Sequence, residues 1–238
     1  MSSYILVHGA WHGSWCWNKL TPLLEVAEHS VEARDLPGHG KDTTPPEDAT
    51  LEAYVNSVCD QLDRAKEPVV LVGHSMAGCI ISQVAERRPD KIRTLVYVAA
   101  VLLQNGQSLH DVISKDEESL VPPNLVVSED EKTVLLKDDM IKPALYAQCS
   151  DEDVAQAKLL LTKQALAPLV TPVEISDGNF GSVKRAYVEC SKDRTFSIKS
   201  QRMMQSALPC DPVFTIDTDH SPAMSAVEEL SRHLLSLA

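Results

Sequence analysis

A serine set in Gly73-His74-Ser75-Met76-Ala77 follows the apolar run Val69-Val70-Leu71-Val72 and precedes a helical pattern. A strand that turns sharply into a helix at small residues lifts the serine hydroxyl above the sheet, the context of a nucleophile elbow. The usual fifth residue of that pattern is glycine; Ala77 is the next smallest side chain, and Gly78 follows it. A hydroxyl is a weak nucleophile at neutral pH and needs an imidazole to take its proton. Among the eight histidines, His220 lies in the turn Asp217-Thr218-Asp219-His220-Ser221-Pro222, just past the β-prone run Val213 to Ile216. That is where the chain order nucleophile, acid, histidine puts the base. His29, His110 and His233 fit solvated positions better. The run Tyr187-Val188-Glu189-Cys190-Ser191-Lys192-Asp193 delivers a carboxylate past the preceding strand, so Asp193 is expected to orient His220. Asp217 and Asp219 stand too close in sequence to His220 for easy side-chain approach.

Acyl transfer also needs two backbone donors for a developing oxyanion, one following the nucleophile and one in the loop after the first strand. These are expected to be Met76 and Ala10. The loop His8-Gly9-Ala10-Trp11-His12-Gly13 places glycines where backbone approaches a ligand, so Gly9 and Trp11 are candidates for the substrate pocket. His8 and His12 have the i, i+4 spacing of a helical metal pair, but a glycine-bearing loop is no helix, and neither a metal nor a cofactor is expected. Trp15 and Trp17 read as packing for the first helix.

The elements that must hold these residues alternate. Strand-like runs at Ser3 to Val7, Ser30 to Ala33, Val69 to Gly73, Thr94 to Val98, Lys184 to Glu189 and Pro212 to Ile216 are apolar enough to suggest a parallel sheet buried on both faces. Helical patterns fall near Trp17 to Leu24, Leu51 to Lys66, Met76 to Arg88, Ile198 to Leu208 and Val227 to Leu237. The rhythm breaks between Gln104 and Ser182, where two short apolar runs, Leu125 to Val127 and Val134 to Leu136, flank an acidic turn in the manner of a hairpin. Helices near Pro143 to Cys149 and Asp151 to Lys163 follow. The expected organisation is a core made of residues 1–103 and 183–238, with residues 104–182 inserted as a cap.

Composition narrows the partners. With 238 residues, against about 150 per domain, one domain with an insertion fits. A net charge of −12 repels phosphate backbones and anionic bilayers, which argues against nucleic acid and membrane surfaces as partners and leaves a small molecule. A homodimer is compatible with these counts. The longest apolar run, Leu95 to Leu103, falls well short of the roughly 20 residues of a membrane helix. Six cysteines are scattered without a C-x-x-C pair, and the first residues carry no basic leader, so a reduced, cytoplasmic protein is expected.

These residues resemble the α/β-hydrolases, and within them the plant methylesterase and hydroxynitrile lyase branch that includes salicylic acid-binding methyl salicylate esterases. Besides His8 to Gly13 and Gly73-His74-Ser75, the likeness extends to Leu145-Tyr146, to Cys149-Ser150-Asp151-Glu152-Asp153 and to Phe180 through Arg185. The resemblance implies an α/β fold with a six-stranded parallel sheet, helices on both faces and a small lid, and the trio Ser75, Asp193 and His220. The chain departs from that branch at Ser221, where its esterases tend to have methionine, at Met76-Ala77-Gly78, where they have Leu-Gly-Gly, and across Leu109 to Lys137. The expected activity is cofactor-independent hydrolysis of small aromatic or short-chain esters through an acyl-enzyme on Ser75. The alternatives are a hydroxynitrile lyase and a non-catalytic small-ligand receptor. The lyase pattern needs a threonine at Gly9 and a lysine at Ser221, and both are missing; a receptor would be suspected had one of the trio been lost.

Overall fold

The computed structural model describes all 238 residues. Its strands are β1 (Ser3–Val7), β2 (Ser30–Ala33), β3 (Val69–His74), β4 (Ile92–Val98), β5 (Leu125–Val127), β6 (Thr133–Leu136), β7 (Gln164–Ala165), β8 (Arg185–Cys190) and β9 (Val213–Ile216). Its helices are α1 (Thr21–Val26), α2 (Leu51–Arg64), α3 (Ala77–Arg87), α4 (Leu109–Ile113), α5 (Asp138–Leu145), α6 (Asp151–Leu160), α7 (Ala167–Val170), α8 (Ile198–Ala207), α9 (Pro222–Ser225) and α10 (Val227–Leu235). Six strands form one parallel sheet in the order β2-β1-β3-β4-β8-β9. The expected α/β architecture with a six-stranded parallel sheet is the one observed.

Period-two alternation divides each central strand between two cores. Tyr4, Leu6, Val70, Val72, Val96 and Val98 face the layer of α1 and α10, where Leu20, Leu24, Leu230 and Leu234 meet them. Ile5, Val7, Leu71, Leu95 and Tyr97 face α2 and α3, and that core continues into the segment between β4 and β8. Both faces are covered, which is why these strands read as unbroken apolar runs rather than alternating ones.

Between β4 and β8 the chain leaves the main sheet. The expected hairpin forms as β5 and β6, antiparallel with Val126 opposite Leu135, and β7 adds a third short strand that the sequence did not announce. Helix α4, begun by a capping box between Ser108 and Asp111, was also not expected. On the way back the chain is fastened to α3: the Glu86 carboxylate accepts from the Ser176 and Phe180 amides and from Asn179, and Gln83 accepts from the Glu174 amide.

Two helices differ from expectation for reasons that lie in proline. The first was expected at Trp17 to Leu24; instead Ser14–Trp17 is a 3-10 turn and α1 starts at Thr21, with Pro22 in its first turn, where a missing N–H costs nothing. A helix near Pro143 to Cys149 is corrected to α5, Asp138–Leu145, which contains Pro143 instead of starting there. The proline forfeits the bond to the Asp139 carbonyl, while Asp138 and Asp139 in the first turn favour the helix dipole, and the helix stops two residues later. No helix is long and apolar enough to cross a membrane.

Among the glycines, the one with least room for a side chain is Gly78, on the first turn of α3. A methyl there would lie 1.8 Å from the Val101 carbonyl oxygen, on the backbone that follows β4. Gly78→Ala is expected to destabilise the protein by at least about 2 kcal/mol through overpacking. Urea unfolding checks this, and an unchanged midpoint would contradict it.

Candidate active site

Ser75 ends β3 with φ at +58°, a left-handed conformation that a serine adopts only when its surroundings impose it. Three backbone bonds do so. Its amide donates to the Val98 carbonyl at 3.2 Å, and its carbonyl accepts from the Gly78 and Val101 amides, each at 3.1 Å. Gly9 closes the site from the other side, since a Cβ there would sit 2.7 Å from the Ser75 Cβ. That corrects the placement of Gly9 in the substrate pocket: its role is close approach beneath the serine, and the pocket lining begins at Ala10.

The Ser75 hydroxyl is 2.9 Å from His220 Nε2, and His220 Nδ1 is 2.8 Å from Asp193 Oδ2. All three residues are buried. With the proton of neutral His220 on Nδ1, the ring donates to Asp193 and accepts from Ser75, the arrangement that draws a proton off a hydroxyl. Asp193 is pinned in turn: its Oδ1 accepts from the Thr195 and Phe196 amides at 2.7 and 3.0 Å, and Gln201 reaches Oδ2 at 3.4 Å. Burial pushes the Asp193 carboxyl up from its usual range, against the pull of His220 and of these amides.

The neighbouring aspartates do other work. Asp217 pairs with Lys192 at 2.8 Å on the surface. Asp219 is buried and accepts from the Gln148 amide, the Ser221 amide and Ser225 Oγ, which fastens the His220 turn to the link between α5 and α6 in the middle of the β4–β8 segment.

The backbone N–H groups of Ala10 and Met76 donate to no carbonyl. Both residues, with Ser75, open on a cavity of about 550 Å³ including its mouth. Trp11, Thr195 and Phe196 line it near the serine. Leu109, Ile113, Val121, Leu125, Leu166 and Leu169 line the remainder, all from the β4–β8 segment. The Thr195 hydroxyl is spent on the Ala144 carbonyl at 2.9 Å. His110, expected to be an ordinary solvated residue, is exposed but sits on this lining.

A second set of groups escaped sequence reasoning. His8, His12, His39 and His74 are all buried below the Gly9 turn. His8 accepts the Leu36 amide on Nε2 and donates Nδ1–H to the Gly9 carbonyl, so its tautomer is fixed. His39 bridges the His12 carbonyl and the Tyr54 hydroxyl, and His74 donates Nε2–H to the His220 carbonyl at 2.7 Å. Trp15 stacks on His12, and Trp17 meets His74 edge-on, both as packing residues. Only the repeated glycine-histidine pairs, His8-Gly9, His12-Gly13 and His39-Gly40, hinted at this layer.

Burial lowers each of these imidazoles, His8 to about 3 and His12 to about 4, His39 in the same direction and His74 well below the ordinary value. In the unfolded chain they take protons near about pH 6.5. Acid therefore favours unfolding: this part of the stability is whole above that value and is lost as the pH falls toward the folded-state values. The slope is about 1.4 kcal/mol per pH unit for each histidine protonated only when unfolded. Urea unfolding at stepwise lower pH is expected to show stability declining already between about pH 6.5 and 5, before ordinary carboxylates titrate. A flat profile there would contradict buried neutral histidines.

Residues 4–233 match the model of the alpha/beta hydrolase family. The chain is 35% identical to methylesterase 2 of Arabidopsis thaliana, with 99% of this chain and 95% of that protein covered. It is 33% identical to putative methylesterase 11, chloroplastic, of the same plant, where 99% of this chain spans 63% of the relative's length. Among solved structures, polyneuridine aldehyde esterase superposes with a TM-score of 0.89 at 28% identity, covering 100% of this chain and 99% of that one.

Proposed function

The chain belongs to the alpha/beta hydrolase family, and on that premise we propose that it is a serine carboxylesterase that cleaves small, uncharged esters through an acyl-enzyme on Ser75. What carries the reading is the unbroken hydrogen-bonded chain from Ser75 through His220 to Asp193, with the hydroxyl opening on an apolar cavity. The methylesterase relatives support the same chemistry.

In this mechanism His220 takes the Ser75 proton as the oxygen attacks the ester carbonyl. The carbonyl oxygen becomes an anion held by the Ala10 and Met76 N–H groups, neither of which is committed elsewhere in the backbone. Asp193 keeps the imidazolium oriented, and His220 then protonates the departing alcohol. Water, deprotonated by the same imidazole, releases the acid. Residues 104–182 serve as the cap, since they supply most of the apolar wall.

The wall defines the substrate. Aliphatic side chains with Trp11 and Phe196 at the inner end suit an aromatic or short aliphatic group, and no lysine or arginine lines the cavity to receive a charge. A carboxylate there would be desolvated without a partner. The ester is therefore neutral, and the acid product is the species the cavity holds least well.

Ser75→Ala is expected to keep the fold and lower ester hydrolysis by about three to six orders of magnitude. Near-parental turnover of p-nitrophenyl butyrate by that variant would refute the proposal. Across a panel of methyl esters, a negatively charged acyl group is expected to cut kcat/KM at least about tenfold relative to a neutral one of equal length. Equal rates would place the substrate outside this cavity.

A further inference from the structure

Ala10 stands between two peptide units, and each is held from below. In the Gly9–Ala10 unit the Gly9 carbonyl accepts His8 Nδ1–H at 2.9 Å. A trans peptide points its C=O and N–H in opposite directions, so holding that carbonyl turns the Ala10 N–H the other way. In the Ala10–Trp11 unit the Ala10 carbonyl lies 2.7 Å from His12 Nδ1, and the second nitrogen of the same ring lies 2.5 Å from the Tyr146 hydroxyl. Tyr146 caps the C-terminal end of α5 and is completely buried, as is the contact it makes.

The protons in this chain can be assigned from the partners. A carbonyl only accepts, so the bond to Ala10 requires the His12 proton on Nδ1. Nε2 then carries a lone pair, and the tyrosine hydroxyl must donate to it. Burial supports both assignments, holding His12 neutral down to about pH 4 and the Tyr146 phenol protonated. Without the hydroxyl, the His12 Nε2 lone pair would be buried with no donor, and the ring that holds the Ala10 carbonyl would lose its second anchor.

We infer that Tyr146 and His12 are positioning residues for the oxyanion donor: the tyrosine hydroxyl anchors the His12 ring, His12 Nδ1–H fixes the Ala10–Trp11 peptide plane, and with the Gly9–Ala10 plane held by His8 this leaves Ala10 one conformation, in which its N–H faces the reacting ester. The inference rests on the esterase reading above, which makes Ala10 a donor. It assigns a part in catalysis to a phenol that touches no substrate and arrives from the far side of the cavity wall.

The test is a double-mutant cycle read as kcat and KM for p-nitrophenyl butyrate. Tyr146→Phe removes one oxygen and preserves the ring, and it is expected to lower kcat by about tenfold to a hundredfold with KM changed less than about twofold, a loss confined to the transition state. His12→Leu deletes the donor to Ala10 and should lose about a hundredfold or more. His12→Asn presents an amide N–H near the position of Nδ1–H and has no Nε2 for Tyr146 to hold, so it should retain at least about ten times the kcat of His12→Leu. In the His12→Asn background, Tyr146→Phe is expected to cost less than about twofold in kcat, because the step it controls is gone.

Two results would overturn the inference: parental kcat in Tyr146→Phe, or the same loss from Tyr146→Phe in both backgrounds, the mark of a packing role. If His12→Leu fails to fold, the cycle built on His12→Asn still decides. Ser75→Ala separates the two levels. An active Ser75→Ala refutes the esterase site itself, whereas an inactive Ser75→Ala beside a fully active Tyr146→Phe removes only the relay.

Discussion

The left-handed backbone at Ser75 is the constraint on which the site is built. A serine at φ +58° gains nothing from that conformation itself, and cost of order 1–3 kcal/mol must be offset by neighbours that leave no alternative. The Val98 carbonyl, the Val101 amide and the Gly78 amide do this by bonding both ends of the residue. Gly9 and Gly78 are required by the same turn, because each sits where backbone passes too close for a side chain. The strain is what lifts the hydroxyl out of the sheet to meet His220 at 2.9 Å. Sheet order matters for the same reason: β3 lies at the centre, flanked by β1 and β4, so the loops that follow those two strands are the ones that can clamp its end.

The electrostatics of the site run in two layers with opposite character. Above the serine is an apolar wall with no lysine or arginine, and the chain as a whole carries −12. An acid formed there is repelled by its surroundings at short and long range, which favours departure over product inhibition. Below it lies a stratum of neutral imidazoles that each bond a backbone group, His8 to Gly9 and Leu36, His12 to the Ala10 carbonyl, His39 to the His12 carbonyl and His74 to the His220 carbonyl, with tyrosine hydroxyls on the far nitrogens of His12 and His39. An imidazole can donate and accept at opposite ends, which lets one ring join two loops that share no strand. His74 ties the end of β3 to the loop after β9 with a single bond, since it precedes Ser75 and its Nε2–H holds the His220 carbonyl.

Much of this was legible in the sequence because it depends on local pattern. Strands buried on both faces show as continuous apolar runs, and the serine turn, the carboxylate after β8 and the histidine after β9 follow from chain order along such strands. What was hidden depends on contacts between distant segments. Nothing near Gly9 in the sequence shows that Ser75 will occupy the space its side chain would need, so it read as a pocket residue. Pro143 read as a helix start because its interior position depends on the aspartates before it. The histidine layer and Tyr146 were invisible as a unit: His12 and Tyr146 are 134 residues apart, and only burial turns their meeting into a fixed tautomer. His110 is solvated as expected, yet it also lines the cavity, since exposure and lining coincide at a mouth.

The Gly9–Gly13 turn is also tied to residues 104–182 at two points besides Tyr146. Trp11 donates its indole N–H to the Val134 carbonyl at 3.0 Å, and the Thr162 amide donates to the Trp11 carbonyl at 2.8 Å. The cavity wall and the Gly9–Gly13 turn are therefore one piece of architecture. Transplanting this wall into a relative, or a relative's into this chain, would exchange part of the reaction machinery along with the selectivity. A chimera that joined the segments at Leu103 and Val183 without preserving those three attachments would inherit a fitting pocket over a loosened turn. Diversification of substrate range in such a scaffold is accordingly freest at side chains such as Leu109, Ile113 and Leu169, which face the cavity and bear none of these ties.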